Sequence, residues 1–446
     1  MVQHVHSRFS RRRFLAGTAA AAAAAALPAG CASSVKTGGA AGGTTTLQVM
    51  YESNEVTPQI IAAFEQANPG IKITLLKNDS ARLLSMMAAG QAPDLFEAVG
   101  VWDAPYWAAR GKIEPLDDYL NQSTLLKRDD LNPVNDIWRF DGSKQGTGPY
   151  YGLCKDFSQD GTIWVNKAVL DSAGVAMPST TTPISYDDLL KIGRATTKKR
   201  GTQVETFGLG WFGTPRLLNL LPMVESAGGR LFSDDFSEID FTNDAALKAL
   251  EWYWAVGKDA LAPGPRAKQS QSDDALFASG RVGAILAGYW FTGRLAEEKV
   301  RTTSYMLPAP QLGPNRVSST YYGVGMVMAK ESKSKDAAWK FMEYFLGGKP
   351  AEDRAAAGWG LPALKHLDDK LPRTQPFQQR AFRTQQGEAP HLKVLAFSPY
   401  ATNGALQTVI DDKFAAALGS GDVSKFARTI TAECNKLLAE GRAQVK

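Results

Sequence analysis

The sequence predicts an α/β protein of two domains, and three observations carry that prediction. Strand-like and helix-like runs alternate through residues 47–96, the pattern of layered α/β folds. The run TIWVN at 162–166 is β-branched and aromatic, the composition of a buried strand. A chain of 446 residues is longer than one hydrophobic core organises, so it divides. With 44% hydrophobic and 21% charged residues the composition is that of a globular chain, and no long disordered region is required.

The N-terminus reads as an address. Ser10-Arg11-Arg12-Arg13-Phe14-Leu15 matches the twin-arginine export pattern S-R-R-x-F-L, and an alanine-rich core follows. Residues 14–29 fall short of the ~20 apolar residues of a membrane span. Leu27-Pro28-Ala29-Gly30-Cys31 resembles a lipobox, with Pro28 where leucine is usual. On this reading residues 1–30 are a signal peptide and Cys31 takes a lipid that anchors the protein to the membrane. Cleavage after Ala29 or Ala32, giving a free secreted protein, is the other reading. Residues 31–46, rich in Gly, Ala, Ser and Thr, make a flexible tether. The net charge of +5 is concentrated in this leader. Of 50 basic residues four arginines lie there with no acid, leaving 46 against 45 acidic. A near-neutral body lacks the basic face that nucleic acid requires.

The elements then follow in order. Residues 47–51 form a strand. Thr57 caps a helix with Pro58 at its first position, Ile60, Ile61, Phe64 and Ala67 mark one face, and Asn68-Pro69-Gly70 ends it. Ile71, Ile73 and Leu75 alternate as a second strand. Leu83, Leu84 and Met87 make a helical stripe closed by Gly90, and Asp94 opens a third strand. Residues 150–157 read as one short apolar strand. An acidic turn, the strand at 162–166 and a helical piece at 167–173 come next, stopped by Gly174 and Pro178. Helices are expected over 184–197, 217–227 and 244–257, with strand-like runs at 207–212 and 282–286. YYGVGMVMA at 321–329 would be the second crossover back into the first domain. Residues 335–348 form an amphipathic helix, and 406–418 and 426–438 the clearest helices of the C-terminal part.

The middle of the chain resembles a known arrangement. Asp141-Gly142-Ser143-Lys144, Tyr151-Gly152-Leu153, Asn166-Lys167 and Ala173-Gly174-Val175 stand as in the interdomain crossover of the extracellular solute-binding proteins of ABC importers, sugar-binding members in particular. AFEQANPGIKI (63–73), AAGQAPDLF (88–96), the FASGRVGAI step (277–285), AGYW (287–290) and GWGLP (358–362) are further phrases similar to that family. The likeness covers about 47–440. One departure is Cys154-Lys155, where the family usually carries a proline and its neighbour. The resemblance implies a two-lobed, periplasmic-binding-protein-like fold of type II, each lobe a sheet flanked by helices. Residues 47–153 with 322–366 would form the first lobe and 154–321 with 367–446 the second, with crossovers near 150–157 and 319–328. It also implies a carbohydrate, oligosaccharide in size, held in the interlobe cleft and delivered to an ABC permease by a monomer that needs no cofactor and catalyses nothing. Asp156 falls where the family has a sugar-binding carboxylate and Trp290 where it has a sugar-stacking aromatic. Glu52, Asn54 and Arg82 complete the implied polar set.

The residues themselves weigh against an enzyme. His366 and His391 are isolated, no Cys/His zinc spacing exists, and no G-x-S-x-G is present. Gly208-Leu209-Gly210-Trp211-Phe212-Gly213 satisfies G-x-G-x-x-G, but Trp211 and Phe212 fill the turn where a pyrophosphate would need small residues. An aromatic lip on a cleft is the expectation there. Acid pairs such as Asp117-Asp118 and Asp411-Asp412 read as solvated helix charges; a secreted carbohydrate-active enzyme is the alternative that such pairs keep open. Cys154 and Cys434 read as buried free thiols. Trp102, Trp211, Trp290, Tyr322 and Trp359 each sit beside a glycine or at a strand end, where loops face a cleft. Trp252, Trp254 and Trp339 sit inside helices and read as core. Flat rings suit the C–H face of a sugar, with a few polar groups placed to orient it.

Overall fold

The computed structural model describes residues 43–295 and 297–445. The twin-arginine motif, Cys31 and most of the tether lie outside the described residues. Ten strands carry the two main sheets: β1 (Thr45–Tyr51), β2 (Ile71–Lys77), β3 (Leu95–Val99), β4 (Gly152–Cys154), β5 (Ile163–Asn166), β6 (Lys198–Arg200), β7 (Gln203–Gly210), β8 (Val282–Leu286), β9 (Ser304–Leu307) and β10 (Val324–Met328). One sheet has the order β2-β1-β3-β10-β4 and the other β9-β5-β8-β7-β6.

That strand order is a statement about connectivity. β1 pairs in parallel with β2 and β3, as a strand–helix–strand chain requires. β10 then returns from far down the chain and inserts antiparallel between β3 and β4, pairing Met326 with Glu97 on one side and Leu153 on the other. The chain therefore leaves the first sheet after β4, builds the second, and comes back. Residues 155–162 make the first passage and 308–323 the second.

Local chemistry supports each element. The Thr57 hydroxyl accepts Ile60 N–H at the start of helix Pro58–Ala67, and the Asn166 side chain caps Lys167–Ser172. Phe64 of the first helix packs edge-on against Phe341 of helix Lys335–Gly347, which closes one face of the first sheet. β8 is buried at every position, which is why it reads as a continuous apolar run rather than an alternating one. The C-terminal helices Asn403–Ser420 and Val423–Arg442 pack on helix Asp244–Lys258 of the second lobe, Trp254 meeting Phe414 and Phe426.

The expected single strand at 150–157 is three short ones: Gln145–Tyr150, Gly152–Cys154 and Asp156–Phe157. The first belongs to a hairpin with Arg139–Phe140, and the last pairs with Leu361–Pro362. Gly152 is required at the break because a Cβ there would lie 2.4 Å from the buried Trp138 ring. The parallel pair Ser318–Thr320 with Leu392–Val394 was not foreseen. Cys154 and Cys434 are free and buried, and burial pushes both thiols up to about 12, which leaves them unreactive.

Candidate ligand-binding cleft

Beside the contact between the two passages lies a cavity of about 340 Å³, walled by Trp211, Trp290 and Tyr322 and by Arg216, Asn219 and Asp160. A second cavity of about 180 Å³ shares Asp160, Trp290 and Tyr322 with it and continues to Asp156, Arg294 and Trp359. The rings arrive from different elements. Trp211 follows the end of β7, Trp290 lies in the 3-10 turn Tyr289–Arg294 just after β8, and Tyr322 precedes β10. The Trp211 and Trp290 centroids are 5.9 Å apart with planes inclined by 31°. Trp102 meets Tyr322 edge-on at 5.9 Å and so supports that ring from behind rather than lining either cavity.

Asp160 ties the cleft together. It sits in the first passage, is 4% exposed, and its Oδ1 accepts the Trp290 indole N–H at 2.9 Å. Its Oδ2 accepts the backbone N–H groups of Tyr321 at 2.8 Å and Tyr322 at 3.3 Å, from the second passage. One carboxylate thus joins both passages and the ring of Trp290. Burial pushes it up to about 6, and the N–H donors hold it from rising further.

The turn carrying Trp290 needs Gly288 for a different reason than a sharp bend. Its backbone is extended, with φ −84 and ψ −168, open to any residue. A Cβ there would lie 2.1 Å from Ser158 Oγ and 3.0 Å from Asp160 Oδ1. Absence of a side chain lets β8's end press against the first passage, where Ser158 Oγ accepts Tyr289 N–H.

Trp211 takes φ +61, the left-handed region that bulky residues avoid. Its N–H donates to the Asp273 carboxylate at 2.5 Å, which holds the residue in that conformation. The aromatic lip expected of Trp211 and Phe212 is carried by Trp211 alone, since Phe212 is fully buried against Trp252.

On the far side of the cleft the charges are committed to one another. Lys155, nearly buried, has Nζ 2.8 Å from Asp156 Oδ2 and 3.0 Å from Glu55 Oε2. Burial opposes its charge, but the two carboxylates more than offset this, and its pKa stands above the ordinary value. Asp156 therefore enters the cleft already bound to a cation. Trp359 is 43% exposed, with the Arg294 guanidinium 5.7 Å from its ring centre.

Of the residues singled out from the sequence, the structure gathers Asp156, Trp211, Trp290, Tyr322 and Trp359 around the two cavities. Asn54 lines a neighbouring groove. Glu52 is exposed and accepts from Asn78 while its N–H donates to Glu97. Arg82 is exposed on helix Ser80–Ala88. Neither lines the cleft. Asp160, Arg216 and Lys155 were missed. Asp160 carried a visible signal, an acid in the turn between two strands, but nothing local distinguished it from a solvated one. A larger, shallower concavity of about 790 Å³ lies beside the loop at 227–240 and the last helix, away from both passages.

Two sheets traversed in this order, with a ring-lined cavity beside the passages, define a two-lobed binding protein of the type II periplasmic class. The chain belongs to the family described as bacterial extracellular solute-binding protein, whose model matches residues 52–351. It is similar to the mannitol-binding protein of Pseudomonas aeruginosa, at 25% identity over 307 residues, 65% of this chain and 66% of that one. Among solved structures, an ABC substrate-binding protein of Listeria monocytogenes in complex with cycloalternan has a TM-score of 0.74 at 19% identity, covering 88% of this chain and 98% of its own. A Thermotoga lettingae ABC transporter solute-binding protein bound with α-D-tagatose gives 0.72 at 21%, covering 89% and 100%. At these identities the structural likeness speaks for the fold. No helix among the described residues is long and apolar enough to cross a membrane.

Proposed function

We propose that the protein is the extracytoplasmic receptor of an ABC importer, holding a carbohydrate between its lobes and presenting it to the permease. The observation that carries this reading is the set of rings, Trp211, Trp290 and Tyr322, converging on one cavity of about 340 Å³ with Asp160 and Arg216 beside them. Such a site offers flat apolar walls for sugar C–H faces and a few oriented polar groups for hydroxyls. Trp290, Trp211 and Tyr322 are the stacking residues, and Arg216, Asn219 and Asp156 the hydroxyl partners. Ligand that touches both lobes favours the closed arrangement by its differential affinity, and the permease reads closure. No bond in the sugar is broken.

The lobes follow the passages: 47–153 with 322–366, and 154–321 with 367–446. Export by the twin-arginine route, a lipid on Cys31 and a monomeric state complete the proposal. Replacing Cys31 with alanine moves the protein from the membrane fraction to the medium; wild-type protein already free in the medium refutes the anchor. A thermal-shift screen over mono- and oligosaccharides tests the function. At least one sugar raises the melting temperature, quenches tryptophan fluorescence and is recovered intact. A cleaved sugar, or no response across the panel, overturns the reading.

A further inference from the structure

The first lobe carries a groove of about 390 Å³ that the cleft aromatics do not line, Trp359 excepted. Ile60 and Ala63 of helix Pro58–Ala67 form one wall. Tyr344 and Ala357 of the two helices spanning 335–357 form the other. Glu55, Lys155 and Trp359 line both this groove and the 180 Å³ cavity of the cleft, so the two adjoin.

A second observation marks the junction. Arg354 lines the groove, and its Nη2 donates to Phe345 O at 2.9 Å. Its Nε and Nη1 are buried without a hydrogen-bond partner among the described residues. Glu55 Oε2 is buried there too and is paired with Lys155 Nζ, 3.0 Å away. Buried polar atoms are seldom left unpaired, and charged ones least of all. The junction is therefore prepared for a polar group arriving from outside the chain, and the walls beyond it for carbon.

We propose that the groove is a second subsite for the same ligand, taking an apolar aglycone, alkyl or aryl, joined to a sugar held over Trp290. Arg354 would meet the oxygens at the glycosidic link. This rests on the carbohydrate reading of the cleft. A further sugar ring suits the groove less well, because its hydroxyls would face the Ile60, Ala63 and Ala357 carbons. Two of the polar groups at its rim are engaged: Lys349 pairs with Asp353, and the Thr57 hydroxyl caps its own helix.

The experiment measures affinities of methyl, butyl and hexyl glycosides of glucose, galactose, mannose and maltose by calorimetry, with wild type, Ala63→Phe and Ala357→Phe. Both alanines are exposed, so the larger side chain fills the groove without entering the core. For the sugar that binds, affinity rises about two- to fourfold per added methylene, the value of burying one CH₂. Either substitution flattens that series while the methyl glycoside stays within twofold of wild type. A flat wild-type series with a methyl glycoside that binds overturns the groove and leaves the sugar reading intact. A slope that survives both substitutions places the chain elsewhere and also overturns it. Failure of every glycoside, methyl included, removes the sugar reading and the subsite with it.

Discussion

The second lobe holds two groups of tryptophans that differ in everything except residue type. Trp252 and Trp254 lie mid-helix in Asp244–Lys258, each 4% exposed. Trp252 donates to the Tyr186 carbonyl at 2.7 Å and is gripped edge-on by Tyr186 and Phe212. Trp211 and Trp290 follow strand ends, are half-buried, and lie with planes inclined by 31°. Trp290 gives its N–H to a carboxylate in the interlobe passage rather than to a carbonyl of its own layer. One indole N–H in each group is bonded, that of Trp252 and that of Trp290, while the buried Trp254 N–H has no partner among the described residues. The core rings are enclosed, while the cleft rings line a cavity and are held by single carboxylates, Trp290 through its indole N–H and Trp211 through its backbone N–H.

The comparison breaks most visibly at Trp252. Alanine there empties a full indole from the core and removes its hydrogen bond to the Tyr186 carbonyl, costing about 3–5 kcal/mol. The melting temperature falls by roughly 5–15 °C, and at low temperature the remaining folded protein binds ligand normally. Weakened binding with an unchanged melting temperature would place Trp252 in the wrong group.

Asp160 sharpens the comparison through pH. Its folded pKa of about 6 lies above the ordinary ~3.9 of an unfolded aspartate. The folded state therefore holds the proton more tightly, and stability attributable to Asp160 is present below pH ~4 and lost as pH rises through 6. The loss amounts to about 2–3 kcal/mol. Glu97 and Asp103, each pushed up to about 7 by burial, add slopes of the same sign, so the test is a difference. Between pH 4 and 7 denaturant titrations should move in favour of Asp160→Asn, relative to wild type, by that amount. A constant gap would mean Asp160 is not protonated in the folded chain.

Trp290→Ala carries the third expectation, one that separates binding from folding. Affinity falls tenfold or more, about 1.4 kcal/mol, and the unliganded melting temperature stays within a few degrees. A variant that melts far lower yet binds as wild type would return Trp290 to the core group.

What was legible in the sequence follows the range of the interactions that determine it. The buried run of β8 and the faces of helices Pro58–Ala67 and Lys335–Gly347 announce themselves, because periodicity and caps are local. The three-residue pair Ser318–Thr320 with Leu392–Val394 has no such signature; only the return of the chain past the second lobe brings those strands together. The same holds within the site. Trp211 and Trp290 were visible as rings at strand ends. Asp160 was not, since its partners lie 130 and 161 positions away, and neither was Gly288's reason for being glycine, which is Ser158 in another segment.

Trp211 offers the smallest effect on stability and the finest cut. At φ +61 an L-residue pays about 1–2 kcal/mol, a cost that glycine does not incur. Core tryptophans have no such strain to explain; a strained ring beside a cavity suggests a position kept for its contact with ligand. Trp211→Gly relieves the backbone but forfeits the ring's packing on Trp290 and Phe291, at centroid distances of 5.9 and 6.2 Å. Each such aromatic pair is worth about 0.5–1.5 kcal/mol. The two changes nearly cancel, so the unliganded melting temperature moves by no more than about 3 °C. Ligand affinity falls about three- to tenfold, the value of one lost stacking face. Trp211→Phe keeps the strain and much of the ring, and its affinity falls between glycine and wild type. If glycine instead lowers stability by several kcal/mol, Trp211 is a packing residue that happens to border the cleft, and the division between the two groups of rings no longer holds at this position.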